Sequence, residues 1–347
     1  MDLVAPRLAA QMLLRPTARD PVDVTEHLLA VQAQDLRGAQ LAVRARSTGL
    51  SVADIDRALS EDRSLLITWL NRGTLHLVRS EDYWWLQQLT TPQLLTANAR
   101  RLGQEGLSPA QADRGVELIA RSIDRDGPQT RVQLRERLVA AKVPVAGQAL
   151  VHMLMLASLR GHIMRGPMIG RHHAFVLVRD WLGAPPSVDR DSALALLAHR
   201  YLIGHGPASD RDLARWAGIP LREARVGLKA IGPTLVQHAD GLVDLARRPV
   251  SGLPEPRLLG PWDPALVGWS SREWLLGPEE KRIVVGGLFR SFALIRGRPV
   301  ATWSLQGREP KIEPFCPLSK HDEAALQRDA DAVVEFLREN RGARRVR

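Results

Sequence analysis

His205-Gly206-Pro207, a helical pattern over 210–216, Gly218-Ile219-Pro220, a second helical pattern over 221–231, and then Leu235-Val236-Gln237-His238-Ala239-Asp240-Gly241-Leu242-Val243-Asp244-Leu245 make up the stretch on which the fold turns. The Gly-Pro and Pro-turn breaks separate short amphipathic helices. The Asp240-Gly241 pair between apolar alternations signals a β-hairpin. With a helix over 193–202 in front, the order is three helices and a hairpin, which is a winged helix. Two short helices and a small sheet cannot each bury their apolar face alone, but together they close one core. In such a unit the third helix and the wing normally face DNA.

The same order occurs upstream. A helix over 116–123 leads through Asp126-Gly127-Pro128 to a helix over 131–139. A turn at Val143-Pro144, a helix over 147–159 and a strand-and-turn segment from Arg160-Gly161-His162-Ile163-Met164-Arg165-Gly166 follow. The N-terminal part is similar but less regular. Helices are expected over 4–14, 22–34, 39–46 and 52–60, then a strand-rich piece from Leu65 to Val78 with a turn at Asn71-Arg72-Gly73. From Pro249 onward proline and glycine cluster, and β-type alternation appears over 282–285, 291–295 and 300–305, with a turn at Arg296-Gly297-Arg298. A last helix is expected over 318–337, followed by a disordered basic tail over 338–347 that touches phosphates non-specifically. The expected class is mainly α with small β (α+β), as tandem winged helices plus an antiparallel β module. The expected boundaries are 1–105, 106–188, 189–248 and 249–347.

Composition bounds the function. The chain has 347 residues, 45% hydrophobic and 25% charged, as in a soluble globular protein. No run of eighteen apolar residues predicts a membrane span, and the first residues lack a signal-peptide layout, so a cytoplasmic protein with no membrane partner is expected. The single cysteine, Cys316, rules out an internal disulfide and a cysteine metal cage. No HExxH spacing, Gly-rich phosphate loop or nucleophile elbow is present, so neither metal nor cofactor is expected. The formal charge of +10, from 48 Lys+Arg against 38 Asp+Glu, favours an anionic partner, and nucleic acid is the commonest. Arginine dominates, which suits phosphate contacts; an Arg-rich genome composition explains it equally well.

Two amides stand out in an otherwise apolar run, Leu28-Leu29-Ala30-Val31-Gln32-Ala33-Gln34-Asp35-Leu36-Arg37-Gly38. Asp20 as cap, Pro21 at the first helical position and the stripe Val24, Leu28, Val31 predict a helix leading into it. Residues two apart on a helix point about 200° away from each other. Gln32 and Gln34 therefore converge only if the helix ends there, for which Gly38 is the expected terminator. Paired neutral amides both donate and accept hydrogen bonds, so they can orient a water molecule beside a charged intermediate.

These residues resemble one family across positions 5–310. The resemblance rests on Ala30-Val31-Gln32-Ala33-Gln34-Asp35, Thr68-Trp69-Leu70-Asn71-Arg72-Gly73-Thr74-Leu75-His76-Leu77-Val78, Arg179-Asp180-Trp181-Leu182-Gly183, His205-Gly206-Pro207-Ala208, and Leu258-Leu259-Gly260-Pro261-Trp262-Asp263-Pro264-Ala265-Leu266-Val267-Gly268-Trp269. They are similar to the AlkZ/YcaQ-type bacterial DNA glycosylases. The resemblance implies three tandem winged helices in a C-shaped basic channel around double-stranded DNA, with a hairpin probing the minor groove. It implies excision of N-alkylated purines, bulky adducts and interstrand crosslinks included, in repair or in self-resistance to a DNA-alkylating natural product. The family's catalytic element, glutamine, an apolar residue, then glutamine (aspartate in the YcaQ branch), falls on Gln32, Ala33 and Gln34 and marks the AlkZ-like branch. Ala33 is smaller than the usual middle residue.

The chemistry agrees with that reading. A purine alkylated at N7 or N3 is already cationic and needs no general acid to depart, and departure leaves an oxocarbenium-like sugar. Gln32 and Gln34 are the expected catalytic pair. Candidate helpers in the groove are Asp35, Arg37, Trp69, Arg72, His76 and Asp263. Candidate DNA contacts are Arg160, Arg165 and Arg171, near His172 and His173, and Arg222, Arg225 and Lys229, which share one helix face. No lysine is placed for Schiff-base chemistry, so a monofunctional, monomeric hydrolase is expected. The alternative from another class is a non-enzymatic winged-helix regulator.

Overall fold

The helix begun by Asp20 and Pro21 stops earlier than its apolar stripe suggests. In the computed structural model, which describes residues 2–170, 172–238, 240–246, 252–307 and 309–338, the Asp20 carboxylate accepts the Val22 N–H and the helix spans Pro21–Leu28. Leu29 then turns to φ +67°, and Val31–Gln32 leaves as a short edge strand. It runs antiparallel to Thr74–Arg79, with Val31 opposite Leu77 and Gln32 opposite His76. Ala33 N–H extends the ladder to Leu75 O at 2.7 Å. Leu29 and Ala30 join one hydrophobic core while Val31 and Ala33 join another. An apolar run buried on two sides suits extended chain better than a one-sided helix.

Gly38 is not the terminator expected from sequence. Asp35 caps a new helix, Leu36–Ala45, by accepting the Arg37 N–H, and Gly38 sits in its first turns. A Cβ there would lie 2.6 Å from Pro261 O. The glycine therefore allows a close approach of two backbones.

The hairpin predicted around Asn71-Arg72-Gly73 forms between Leu65–Leu70 and Thr74–Arg79, with Asn71 at φ +52° and Gly73 at φ +82°. Leu65–Leu70 is buried along its whole length, so it cannot serve as a sheet edge. Its free side pairs with Ile163–Ile169 through Ile67 and Arg165. One six-stranded sheet results, ordered Val31–Gln32, Thr74–Arg79, Leu65–Leu70, Ile163–Ile169, His172–Leu177, Gln129–Thr130. Strands from either side of the expected boundary near residue 105 thus share one sheet.

Helices Pro109–Asp126, Arg131–Ala140 and Ala149–Leu159 accompany that sheet, the first two begun by Ser108/Gln111 and Thr130/Gln133 capping boxes. Next come Arg190–His205, Asp210–Ala217 and Leu221–Ala230, then the ribbon Leu235–Gln237 with Val243–Leu245. Gly218, in the left-handed region, ends the second of these helices.

The C-terminal part holds a four-stranded antiparallel sheet, ordered Glu309–Pro314, Arg298–Gln306, Phe292–Ile295, Arg257–Leu259. Helix Lys320–Phe336 covers one face through Leu326, Ala330 and Val333, which meet Leu258, Ala293, Trp303 and Leu41. The strand expected over 282–285 is shorter than its alternation. Glu280–Ile283 is helical, and only Val284–Val285 extends, pairing with Leu288–Phe289 across Gly286-Gly287. Arg257–Leu259 and Glu309–Pro314 escaped the sequence reading because prolines and charges mask them. The expected basic tail lies, apart from Arg338, outside the described residues.

A buried ion pair joins these parts. Arg46 Nη2 and Nη1 donate to Asp263 Oδ1 and Oδ2 at 2.7 and 2.9 Å, with both side chains at 0% exposure. Arg46 also donates to Gln11 Oε1 and Ala42 O, and Asp263 accepts the Ala265 N–H. Gln11 in turn donates to Gly204 O at 2.6 Å. Asp263 is therefore a structural anchor, not the groove residue proposed from sequence, because a carboxylate sealed in this way has no face left for a ligand. A second pair, Arg44 with Asp329 at 2.6 Å, binds the Leu36–Ala45 helix to the Lys320–Phe336 helix, and Asp329 also accepts the Leu258 N–H of the C-terminal sheet.

Two stability effects are expected. Asp263→Asn strands a buried guanidinium and should cost about 3–5 kcal/mol, whereas the double replacement Arg46→Met with Asp263→Leu should regain most of that; urea unfolding of the three proteins checks it. Gly38→Ala pushes a methyl group into an immovable carbonyl and should cost roughly 1–3 kcal/mol, read in the same titration.

Candidate active site

The edge strand sets the geometry of the glutamine pair. Side chains alternate along extended chain. Val31 and Ala33 turn into the core, so Gln32 takes the opposite side, while Gln34 lies past the strand where the chain bends. The helix end that the sequence made a condition is present, since the helix stops at Leu28. Gln32 is 4% exposed and lines a cleft of about 150 Å³ with Arg72, Thr74, Arg215, Trp262, Val267, Trp269, Arg272 and Phe289. Gln34 is exposed, and its Oε1 accepts the Leu75 N–H at 3.3 Å. A side-chain amide here replaces a backbone rung of the ladder. Because Leu75 supplies a donor, the oxygen must face the strand, which turns the NH2 end of Gln34 away from it.

His76, directly across from Gln32, is buried at 3% exposure. Its Nδ1 lies 2.9 Å from Thr74 O, so Nδ1 carries the proton. Burial, with Arg72 adding to it, lowers the imidazole pKa to about 3, against a weaker opposing effect of the Thr74 carbonyl. His76 is neutral at any ordinary pH.

Arg72 turns from the hairpin toward the Asp210–Ala217 helix, donating to the C-terminal carbonyls of Arg215 and Trp216 at 3.3 and 3.1 Å. Burial lowers its pKa, and Arg215 and Arg272 lower it further. Arg272 lies over the Phe289 ring at 4.9 Å, and that ring is 4.3 Å from Trp262. Trp262, at φ +61°, immediately precedes Asp263, so the buried ion pair anchors the segment that carries the cleft indole. The result is a pocket with aromatic walls, one amide on its flank and a strongly positive rim.

The remaining sequence candidates scatter. Asp35 is a helix cap and Arg37 an exposed residue in the first turn it caps. Trp69 is buried, its ring parallel to Phe175 at 6.5 Å, and belongs to the core shared with the Ala149–Leu159 helix; the structure corrects its assignment to the groove. Arg160 is paired with Asp113 at 2.7 Å. Arg165 is largely buried in the sheet, where burial lowers its pKa to about 10; a cation so enclosed makes a poor backbone contact. Arg171 lies outside the described residues. Arg222, Arg225 and Lys229 are exposed on the Leu221–Ala230 helix, with Arg225 bonded to Asp210 at 2.7 Å. Sequence reasoning missed Arg215, Arg272 and Phe289. Nothing in their local spacing marks them, since Arg215 and Arg72 are 143 residues apart and meet only through folding.

The family model described as DNA glycosylase AlkZ-like matches residues 25–336. A curated relative from Streptomyces sahachiroi, named interstrand DNA cross-link repair glycosylase, is 29% identical over 359 aligned residues, covering 94% of each chain. The solved structure of Streptomyces sahachiroi DNA glycosylase AlkZ superposes with a TM-score of 0.78 at 26% identity, over 96% of this chain and 95% of that one. A match of this extent, on the architecture and cleft described above, places the chain in the AlkZ-like DNA glycosylase family.

Proposed function

We propose that this protein is a monofunctional DNA glycosylase that acts as a monomer on double-stranded DNA and hydrolyses the N-glycosidic bond of purines alkylated at N7 or N3, bulky adducts and interstrand crosslinks included. Family membership and the name of the Streptomyces relative, an interstrand DNA cross-link repair glycosylase, support the class and favour an enzyme over the regulator. The observation that carries the chemistry is the edge strand that sets Gln32 in an electropositive, aromatic-walled cleft, with Gln34 two residues on and bonded to Leu75 of the neighbouring strand.

Bond cleavage in an alkylpurine moves positive charge from base to sugar. The base leaves neutral, so no proton has to be delivered to it. Two demands remain, a water held on the far face of the sugar and negative potential near the developing cation. Amides held by the fold meet both without reorganising at the moment of reaction. Gln32, oriented by the strand, supplies an oxygen toward the developing cation, and Gln34, whose own oxygen is held by the Leu75 N–H, turns its NH2 group to the oxygen of the water. A neutral His76 behind Gln32 adds no competing charge and serves to support the strand. The three helices and ribbon of residues 190–245 have the order of a winged helix, and the exposed Arg222, Arg225 and Lys229 present a phosphate-binding face.

Gln32→Ala and Gln34→Ala should each lower release of N7-methylguanine from a duplex by on the order of 10²-fold, measured as alkali-labile strand breaks under single turnover. Unmodified duplex should remain intact with every variant, and equal rates in wild type and both variants would defeat the assignment. The folded pKa of His76, about 3, lies below the ordinary 6.5, so the stability it contributes is present above pH 6.5 and lost as pH falls toward 3. The urea midpoint of wild type should therefore fall more between pH 7 and pH 4.5 than that of His76→Gln, while the excision rate shows no histidine inflection between pH 6 and pH 8.

A further inference from the structure

The cleft beside Gln32 gathers more positive charge than it neutralises. Arg72, Arg215 and Arg272 line it together, close enough that Arg215 lowers the basicity of both the others. Among the described residues the salt bridge these three make is that of Arg272 Nη1 with Glu280, at 3.7 Å. Arg72 Nη1 donates to the carbonyls of Arg215 and Trp216, which fixes the last turn of the Asp210–Ala217 helix and with it the exposed Arg215. Crowded like charges cost free energy, and an anion bound among them returns it.

That anion cannot be the purine, which is cationic when alkylated. It must also neutralise the arginines, because bare guanidinium groups would oppose the sugar cation that forms at Gln32. A backbone phosphodiester meets both conditions, since it is anionic, covalently attached to the reacting sugar, and matched to the planar fork of arginine.

We propose that Arg215 and Arg272 clamp a phosphodiester flanking the lesion nucleotide, with Arg72 positioning Arg215. This rests on the glycosylase reading for the location of the lesion. The clamp makes polymeric DNA the substrate, and a free alkylated nucleoside, lacking the phosphate, is left uncut.

The test uses the full chain and duplexes carrying either N7-methylguanine or an uncleavable tetrahydrofuran abasic site. Binding to the tetrahydrofuran duplex is measured against salt for wild type, Arg215→Gln, Arg272→Gln and the charge-retaining Arg215→Lys, each checked for an unchanged thermal transition. Each Gln variant should reduce the slope of log K against log salt by about 0.9. A neutral methylphosphonate beside the lesion should reduce the wild-type slope similarly and leave the Gln variants little changed. Excision by each Gln variant should fall about 10-fold, not additively with the methylphosphonate, and Arg215→Lys should lie between. Unchanged slopes, or additive losses with the methylphosphonate at every flanking position, overturn the clamp. Displacement of DNA by inorganic phosphate at constant ionic strength, with methylphosphonates without effect, overturns it in favour of a free-phosphate site. Because the binding arm needs no turnover, a wild type that binds but never releases base sinks the glycosylase reading while the slopes still judge the clamp.

Discussion

The Arg46–Asp263 ion pair is the contact on which the site depends. Two opposite charges withdrawn from water are tolerated only when each is fully bonded. Here the guanidinium also serves Gln11 and Ala42, and the carboxylate also accepts the Ala265 N–H. The bonds reach four separate stretches of chain: the N-terminal helix, the residue closing Leu36–Ala45, the segment after Arg257–Leu259, and, through Gln11, the end of Arg190–His205. Apolar contacts alone would permit these pieces to slide. A bidentate bond with a fixed plane does not, and Trp262 is held as the direct neighbour of its carboxylate.

Helix Leu36–Ala45 works as the beam between that anchor and the glutamines. Its N-terminus is Asp35, one residue after Gln34. Its first turns press against Pro261 through Gly38, and its last turn carries Arg44 and Arg46 into two buried carboxylates. A displacement of the C-terminal sheet would therefore be transmitted to the edge strand. The glutamines lie on the short stretch between that beam and the Pro21–Leu28 helix, so both of its ends are fixed.

The cleft sets neutral polar groups beside a rim of cations. Its flank has an amide and a neutral imidazole, and on its rim Arg72 and Arg272 are made less basic by burial and by neighbouring guanidinium groups. A site built for general acid–base work would hold a group titrating near neutrality, and His76 is taken far from that range. The arrangement suits a substrate that brings its own positive charge and, in the proposed clamp, its own counter-anion.

Much of this was legible in the residues. Capping boxes, Gly-Pro breaks and the Asn71-Arg72-Gly73 turn located most helices and a hairpin, because those signals act within a few residues. The glutamine pair was legible too, as polar residues in an apolar run and through its family resemblance. The sequence could not reveal that Gln32 lies on a strand. Val24, Leu28 and Val31 fit a helical stripe, and only the vacant edge of Thr74–Arg79 draws Val31 and Gln32 into extension. Nor could it show that Asp263 is sealed by Arg46, that Trp69 faces Phe175, or that Arg215 and Arg272 join Arg72, since each is a meeting of residues far apart in the chain. Local chemistry thus determined the elements and singled out the glutamine pair. The tertiary structure decided which charges surround them, because burial and distance set an electrostatic environment and neither exists until the chain has folded.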